Sequence, residues 1–318
     1  MQRRDLRTTT SSLTGLDPAY LVAKEKLTNG KIPRRLVPKQ QYGRTKEKLS
    51  IIGFGGMVVN DVTLKEANNF VAEAVDRGVN YFDVAPFYGN AQRRLGPALK
   101  PYRQKSFLAC KTLERDAAES ARELKESLRL LKTDYFDLYQ LHALSDVEEV
   151  EQAFGPGGAM ETILKAREDG TIRFVGFSAH SEEAAHAALD HYNFDSILFP
   201  LSFPTWIGAS FGPSVYKRAN KTGMGIIALK AMAHRQWPRG KKHRWKKTFY
   251  EPFDEIDQAA LGLRFTLHLP VTALFPPGHW ELFRMALGLA QAGALTPLNN
   301  KERKIIKQIA QDAAPIFP

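Results

Sequence analysis

Cysteine is almost absent from this chain: Cys110 is the only one in 318 residues. That excludes an internal disulfide framework and a thiolate-cage metal site, both of which need several sulfurs. Cys110 itself reads as a small buried hydrophobe beside a strand end rather than as a reactive thiol. Long apolar runs are missing too. None approaches the ~20 residues needed to span a bilayer, so no membrane partner is expected. Also absent is the G-x-G-x-x-G fingerprint of a dinucleotide-binding Rossmann unit, since Gly53, Gly55 and Gly56 after the first strand lead straight into Met57 and Val58.

Acidic residues are the scarcer charge, and the net charge is +11. A basic surface spread over the fold would point to a polyanionic partner. The excess is local instead. Residues 1–48 carry twelve Lys and Arg against four Asp and Glu, residues 234–247 carry seven against none, and everything else is net acidic. The first stretch reads as a basic, mobile extension over residues 1–36, followed by one domain over 37–318. Its pair Arg3 and Arg4 resembles the start of a twin-arginine export signal, but a polar segment follows where such a signal needs an apolar one. A cytoplasmic location is expected, export being the alternative if an apolar segment is missing. The second stretch interleaves basic residues with Trp237 and Trp245. It reads as a loop folded over a bound cofactor, and no nucleic-acid partner is expected because such a footprint engages a wider surface.

What the chain does have is one repeated phrase. A helix ends on a glycine, and a β-branched strand then runs into a polar residue, as in EDGTIRFVGFS and KTGMGIIALK. The first helix is predicted over Leu64–Arg77, opened by a Thr63/Glu66 capping box and stopped at Gly78 in a left-handed conformation. Its apolar face would be Leu64, Ala67, Phe70, Val71 and Ala74. Eight strands are predicted at 50–54, 80–83, 106–111, 136–141, 173–178, 196–200, 225–230 and 272–276. Helices are predicted at 92–100, 117–131, 160–169, 182–191, 214–222, 254–268, 281–290 and 301–313. This alternation predicts an α/β fold, a (β/α)8 TIM barrel with an N-terminal hairpin, with an open doubly wound sheet as the alternative.

In such a barrel the catalytic groups lie at the C-terminal ends of the strands. The second strand ends in Asp83 and is followed by Tyr88, the third ends in Lys111, and the fourth carries His142. A phenol, an ammonium, a carboxylate and an imidazole together suit protonation of a carbonyl oxygen. Lys111 is expected to lower the phenol's pKa, Asp83 to hold Lys111, and His142 to donate a hydrogen bond to the substrate. None of these carries electrons, so redox chemistry requires a cofactor.

The segments YFDVAPFYGNAQRRLGPALK, FLACKT and LYQLHAL, with VPKQQYGRTKEKLSIIGFGGM ahead of them, resemble the aldo-keto reductases in four separated motifs, over about 37–290. The resemblance implies reversible carbonyl reduction by a nicotinamide cofactor, NADP or NAD, on a (β/α)8 barrel. By the same resemblance Tyr88 is the general acid, Asp83 and Lys111 tune it, and His142 orients the carbonyl. Cofactor contacts would come from Gly55, Gly56, Met57, Ser178, Leu229, Lys230, Pro277, Gly278 and Arg284. Lys230 would meet the pyrophosphate, and Arg284 a ribose phosphate.

The chain departs from the family after the fourth strand. Ala179 and Leu198 stand where members often hold the carboxamide with Asn and Gln, Leu229 replaces a stacking aromatic, and His279 and Trp280 replace the usual basic and serine residues. No motif selects NADP over NAD. The substrate is read as a small carbonyl compound or sugar, with His180, Phe203, Trp206 and Tyr250 as candidates to line its pocket. Two alternatives use the same barrel: a cofactor-binding regulatory protein, and a redox-neutral sugar epimerase that retains its cofactor.

Overall fold

A computed structural model describes residues 15–30, 35–240 and 242–317, so Arg3 and Arg4 lie outside the described residues. In chain order the elements are α1 (Pro18–Thr28), β1 (Lys39–Gln41), β2 (Lys48–Ser50), β3 (Phe54–Gly55), α2 (Leu64–Asp76), β4 (Tyr81–Asp83), α3 (Ala91–Leu99), β5 (Phe107–Thr112) and α4 (Ala117–Leu131). Next come β6 (Phe136–Leu144), α5 (Val147–Phe154), α6 (Ala159–Glu168), β7 (Ile172–Ala179), α7 (Glu182–His191), β8 (Ser196–Pro200), α8 (Phe203–Gly208), α9 (Pro213–Lys221) and β9 (Gly225–Leu229). The chain finishes with β10 (Ala233–Gln236), β11 (Tyr250–Pro252), α10 (Ile256–Leu267), β12 (Ala273–Leu274), α11 (Trp280–Gln291) and α12 (Asn300–Asp312).

Eight parallel strands run in the order β12-β9-β8-β7-β6-β5-β4-β3. The two ends of this sheet meet: the Gly53 amide donates to Leu274 O at 2.9 Å, and the Leu274 amide to Ile51 O at 2.9 Å. Those bonds close the barrel, and no edge strand is left to satisfy. The β1–β2 hairpin covers its N-terminal mouth, where the Tyr42 ring enters edge-on to Phe107 and Phe174, with centroids 5.2 and 5.7 Å apart. Glycine at 225 makes this possible, because a Cβ there would stand 2.4 Å from the Tyr42 ring.

Local chemistry sets the element boundaries. The Glu66 amide donates to the Thr63 hydroxyl and the Thr63 amide to the Glu66 carboxylate, so the capping box is formed, and Gly78 ends the turn at φ 93°. Leu64, expected on the buried face, is exposed. The strand expected at 50–54 is split, because Ser50 pairs with Lys39 in the hairpin and only Phe54–Gly55 ladders onto β4. The last strand is two residues long, since Pro276 and Pro277 have no amide to continue a ladder. Among the described residues no helix is long and apolar enough to cross a membrane.

The largest departure from expectation lies at the N-terminus. The described part of residues 1–36 contributes α1, which docks on the barrel rather than standing apart as a mobile extension. Tyr20 is fully buried, its hydroxyl donates to Asp257 on α10, and Lys24 pairs with the same carboxylate at 2.8 Å. Asp17 caps the helix, and its own amide donates to Glu302 on α12. Behind them the buried Arg264 makes two bonds to Glu302, at 2.6 and 2.8 Å. Tyr20→Phe removes one charge-assisted hydrogen bond and leaves Asp257 one donor short, a loss of about 1.5–3 kcal/mol. The expected result is a thermal midpoint a few degrees lower. An unchanged midpoint would mean that α1 adds nothing to stability.

Candidate active site

The functional side chains stand at the C-terminal ends of three adjacent strands. Asp83 closes β4 and Lys111 lies on β5, each in the alternation that turns Tyr81 and Ala109 into the barrel interior while Phe82 and Cys110 join the outer core. Both are buried, and the Lys111 ammonium is bonded to Asp83 Oδ1. Burial raises the Asp83 carboxyl above its ordinary range, and the Lys111 charge and hydrogen bond oppose that shift. Gly56 lets the end of β3 come close, since a Cβ there would meet the Val84 side chain at 2.7 Å and Asp83 O at 3.2 Å.

Tyr88 follows on the turn after β4, where Gly89 takes φ 55° against the Asn60 side chain. Its ring meets the His142 ring edge-on, with centroids 5.8 Å apart. Among the described residues no group hydrogen-bonds the Tyr88 hydroxyl, which is left for a ligand. Burial, then the Asp83 charge and then Cys110 raise the phenol's pKa above its ordinary value. This corrects the expectation of a lowered value. The Lys111 charge is taken up by Asp83, so desolvation decides the direction and the phenol keeps its proton at neutral pH.

His142 is aimed by an irregularity near the end of β6. Pairing with β7 shifts register between Leu141 and Leu144, and Ala143 takes φ 57°. Two bonds hold that kink: Arg115 donates to His142 O at 2.7 Å, and the Ala143 amide donates to the Ser178 hydroxyl oxygen at 2.7 Å. Burial, with Lys111 next, lowers the imidazole's pKa well below its ordinary value, so His142 is neutral. Its Nδ1 is sealed without a partner, which leaves Nε2 to face a ligand.

The sheltered histidines give a pH prediction. Burial lowers His180 and His234 from 6.5 to about 4, and His142 moves in the same direction. Between those values the unfolded chain takes up protons that the folded chain refuses, so stability is lost as pH falls from neutrality toward 4. The thermal midpoint should drop steadily from pH 7 to pH 5. A flat profile over that window would contradict neutral, sheltered imidazoles.

The cofactor candidates fall into two groups. Lys230 follows β9 at φ 65°, with its ammonium 4.8 Å from the Phe249 ring centroid and 5.6 Å from that of Tyr250. Among the described residues it has no carboxylate partner, and burial lowers its pKa to about 8. The first turn of α11 has no side-chain cap. A lone cation, uncapped helix amides and the apolar Leu229 make a fitting cradle for a dinucleotide. Ser178 accepts from the Ala143 amide, and among the described residues its hydroxyl proton has no acceptor, whereas Ala179 and Leu198 are buried and apolar. Gly55 and Met57 lie at the β3 end of this ledge, and Met57 packs so tightly on Gly278, beyond Pro277, that a Cβ at 278 would come within 2.4 Å of it. Arg284 is turned elsewhere: it donates to Glu73 on α2 at 2.9 Å, and its guanidinium lies 5.9 Å from the Trp280 ring. Nothing in its placement supports contact with a ribose phosphate.

Of the substrate candidates, His180 and Tyr250 reach the site region, the first against Phe317 at 5.5 Å and the second beside Lys230. Phe203 and Trp206 are packing residues, stacked on Phe253 and edge-on to Tyr216. The basic loop between β10 and β11 folds onto the barrel: the Lys247 amide donates to His279 at 3.0 Å and its ammonium reaches Val58 O at 3.4 Å. Three features escaped the sequence reading. They are Lys247, Arg115 and Gln140, and for Gln140 a signal was present, a polar residue two positions before His142 and so on the same strand face.

The sequence matches the model of the aldo/keto reductase family over residues 51–312. Among curated proteins it is 28% identical over 178 residues to the uncharacterized oxidoreductase YqkF of Bacillus subtilis, covering 52% of this chain and 56% of that one. It is 29% identical over 153 residues to L-galactose dehydrogenase of Arabidopsis thaliana, covering 43% and 46%. The matches thus span about half the length of these relatives. Among solved structures, the holo form of aldo-keto reductase AKR11C1 from Bacillus halodurans superposes with a TM-score of 0.67 at 23% identity, covering 88% of this chain and 98% of that one. Glycerol dehydrogenase AKR11B4 from Gluconobacter oxydans gives 0.63 at 20%, covering 87% and 96%. At those identities the superpositions speak for the (β/α)8 fold alone.

Proposed function

The chain belongs to the aldo/keto reductase family, and from that membership we propose that it is an NAD(P)-dependent oxidoreductase acting on a small aldehyde, ketone or sugar, with Tyr88 as the proton donor. One observation carries this reading. A phenol whose hydroxyl bonds no described residue lies edge-on to the His142 imidazole, its ring centroid 5.8 Å away, beside a buried Asp83–Lys111 pair.

The nicotinamide, when bound, supplies the hydride to the carbonyl carbon or accepts it from the alcohol. Tyr88 gives its proton to the carbonyl oxygen. His142, being neutral, donates a hydrogen bond from Nε2 to that oxygen without adding a competing charge. Lys111 and Asp83 form a buried ion pair at the base of the site, and Asp83 fixes the Lys111 side chain in place there. Ser178, Leu229 and Lys230 would hold the cofactor, at its carboxamide, ring face and phosphates respectively. The two indoles of the basic loop are engaged within the chain, Trp237 stacked on His243 and Trp245 donating to Asp254, which supports a small-molecule ligand over a nucleic acid.

Titration with NAD, NADH, NADP and NADPH, followed by thermal shift, tests the cofactor assignment. At least one of them should raise the thermal midpoint, and Lys230→Met should weaken that ligand about tenfold, the share of one charge-assisted bond. If none of the four shifts the midpoint, the reading fails.

A further inference from the structure

The barrel interior below the site is packed with apolar side chains such as Phe107, Leu138, Leu198 and Phe275, yet a set of polar ones lies among them. Lys111 pairs in register with Gln140, Gln140 with Gly176, Gly176 with Ser196 and Ser196 with Gly225. Paired residues of a parallel ladder project to the same face, so Gln140 and Ser196 share the inward face of Lys111. The glycines confirm the direction: a Cβ on Gly176 would stand 2.6 Å from Ser196 Oγ, as one on Gly225 would meet the Tyr42 ring. Tyr81 joins them from β4, two residues before Asp83 and hence on its face.

All of these side chains are buried, and among the described residues both amide atoms of Gln140, the Tyr81 hydroxyl and Asp83 Oδ2 have no hydrogen-bond partner, while the hydroxyls of Tyr42 and Ser196 have only each other within reach. Four orphaned polar atoms in one interior would be a heavy cost if dry, because each forgoes the hydrogen bonds it makes in water. A buried water needs two to four polar partners, and this set supplies them. Asp83 is the functional end of the set. Oδ1 binds Lys111, so whatever meets Oδ2 fixes the rotation of the carboxylate and with it the Lys111 ammonium.

We propose that bound water fills this interior, bridging Asp83 Oδ2 to Gln140, Tyr81, Ser196 and Tyr42, and that Gln140 is thereby a positioning residue for the Asp83–Lys111 pair. The kinetic part of the proposal rests on the reductase reading, and the structural part does not. Gln140→Met keeps the volume and removes both polar atoms. In the full chain it should lower kcat roughly tenfold or more through misplacement of the pair, with KM for cofactor and carbonyl unchanged. It should also lower the thermal midpoint, because it strands the waters' other partners. A high-resolution crystal structure of the unsubstituted protein should show water within hydrogen-bond distance of Gln140 and Asp83 Oδ2. A Gln140→Met protein with a higher midpoint and an unchanged kcat, or an interior without water density, overturns the proposal. Should that variant not fold, Ser196→Ala and the wild-type density decide the same question. A wild-type protein without turnover on any dinucleotide defeats the reductase reading alone, while density and melting still judge the water.

Discussion

Tyr88→Phe should reduce carbonyl turnover by about 10²–10⁴-fold, the usual contribution of a positioned general acid, while the protein folds and binds its dinucleotide as before. The specificity of that loss follows from the structure. Among the described residues the Tyr88 hydroxyl serves no protein group, so its removal orphans nothing and stability should change by no more than about 0.5 kcal/mol. The ring itself stays edge-on to His142, keeping the packing intact. Loss of turnover without loss of binding places the effect in the chemical step. Near-normal turnover in this variant, with dinucleotide still bound, would remove Tyr88 from the mechanism.

Lys111→Met should be worse in both stability and activity. The ammonium is the counter-charge of a buried carboxylate whose second oxygen already lacks a protein partner. Breaking a buried pair from one side costs about 3–5 kcal/mol, because the remaining charge is left uncompensated. Asp83 would then take up a proton, since burial already raises its pKa and Lys111 supplies the opposing effects. The double variant Asp83→Asn/Lys111→Met separates the two losses. With both charges gone it should recover much of the stability, as buried pairs replaced together often do, yet remain inactive because the ion pair at the base of the site is gone. Urea unfolding and turnover, measured on the single and double variants, check this. An active double variant would make the pair purely structural.

The barrel could be read from the sequence because its signals are local and repeated. Strands β5 to β9 are short runs bounded by glycine or helix ends, and helices α4 and α7 begin and end where their caps and periodicity place them. Asp83, Lys111 and His142 were visible for the same reason: each is a polar residue ending or following an apolar run. What could not be read depends on partners far away in the chain. The helix α1 shows only Tyr20 and Ala23 as buried residues, and the groups that tie it down, Asp257, Arg264 and Glu302, lie more than 230 residues later. The pKa direction of Tyr88 was beyond sequence because it turns on how deeply the phenol is desolvated and on Lys111 being committed to Asp83. The pairing of Arg284 with Glu73 depends on α11 lying beside α2, where Trp280 stacks on Phe70, and no spacing along the chain encodes that.

The central claim, that Tyr88 protonates a carbonyl oxygen while a bound nicotinamide delivers hydride to its carbon, is tested most directly by following the hydride itself. Reduced dinucleotide deuterated at the transferring position would be mixed with the enzyme and an aldehyde panel, and the alcohol products analysed by mass spectrometry. The expected result is one deuterium in the alcohol with the wild-type chain and almost none in the same time with Tyr88→Phe. Bound dinucleotide with no deuterium transferred by the wild-type chain, or equal transfer by both proteins, would contradict it.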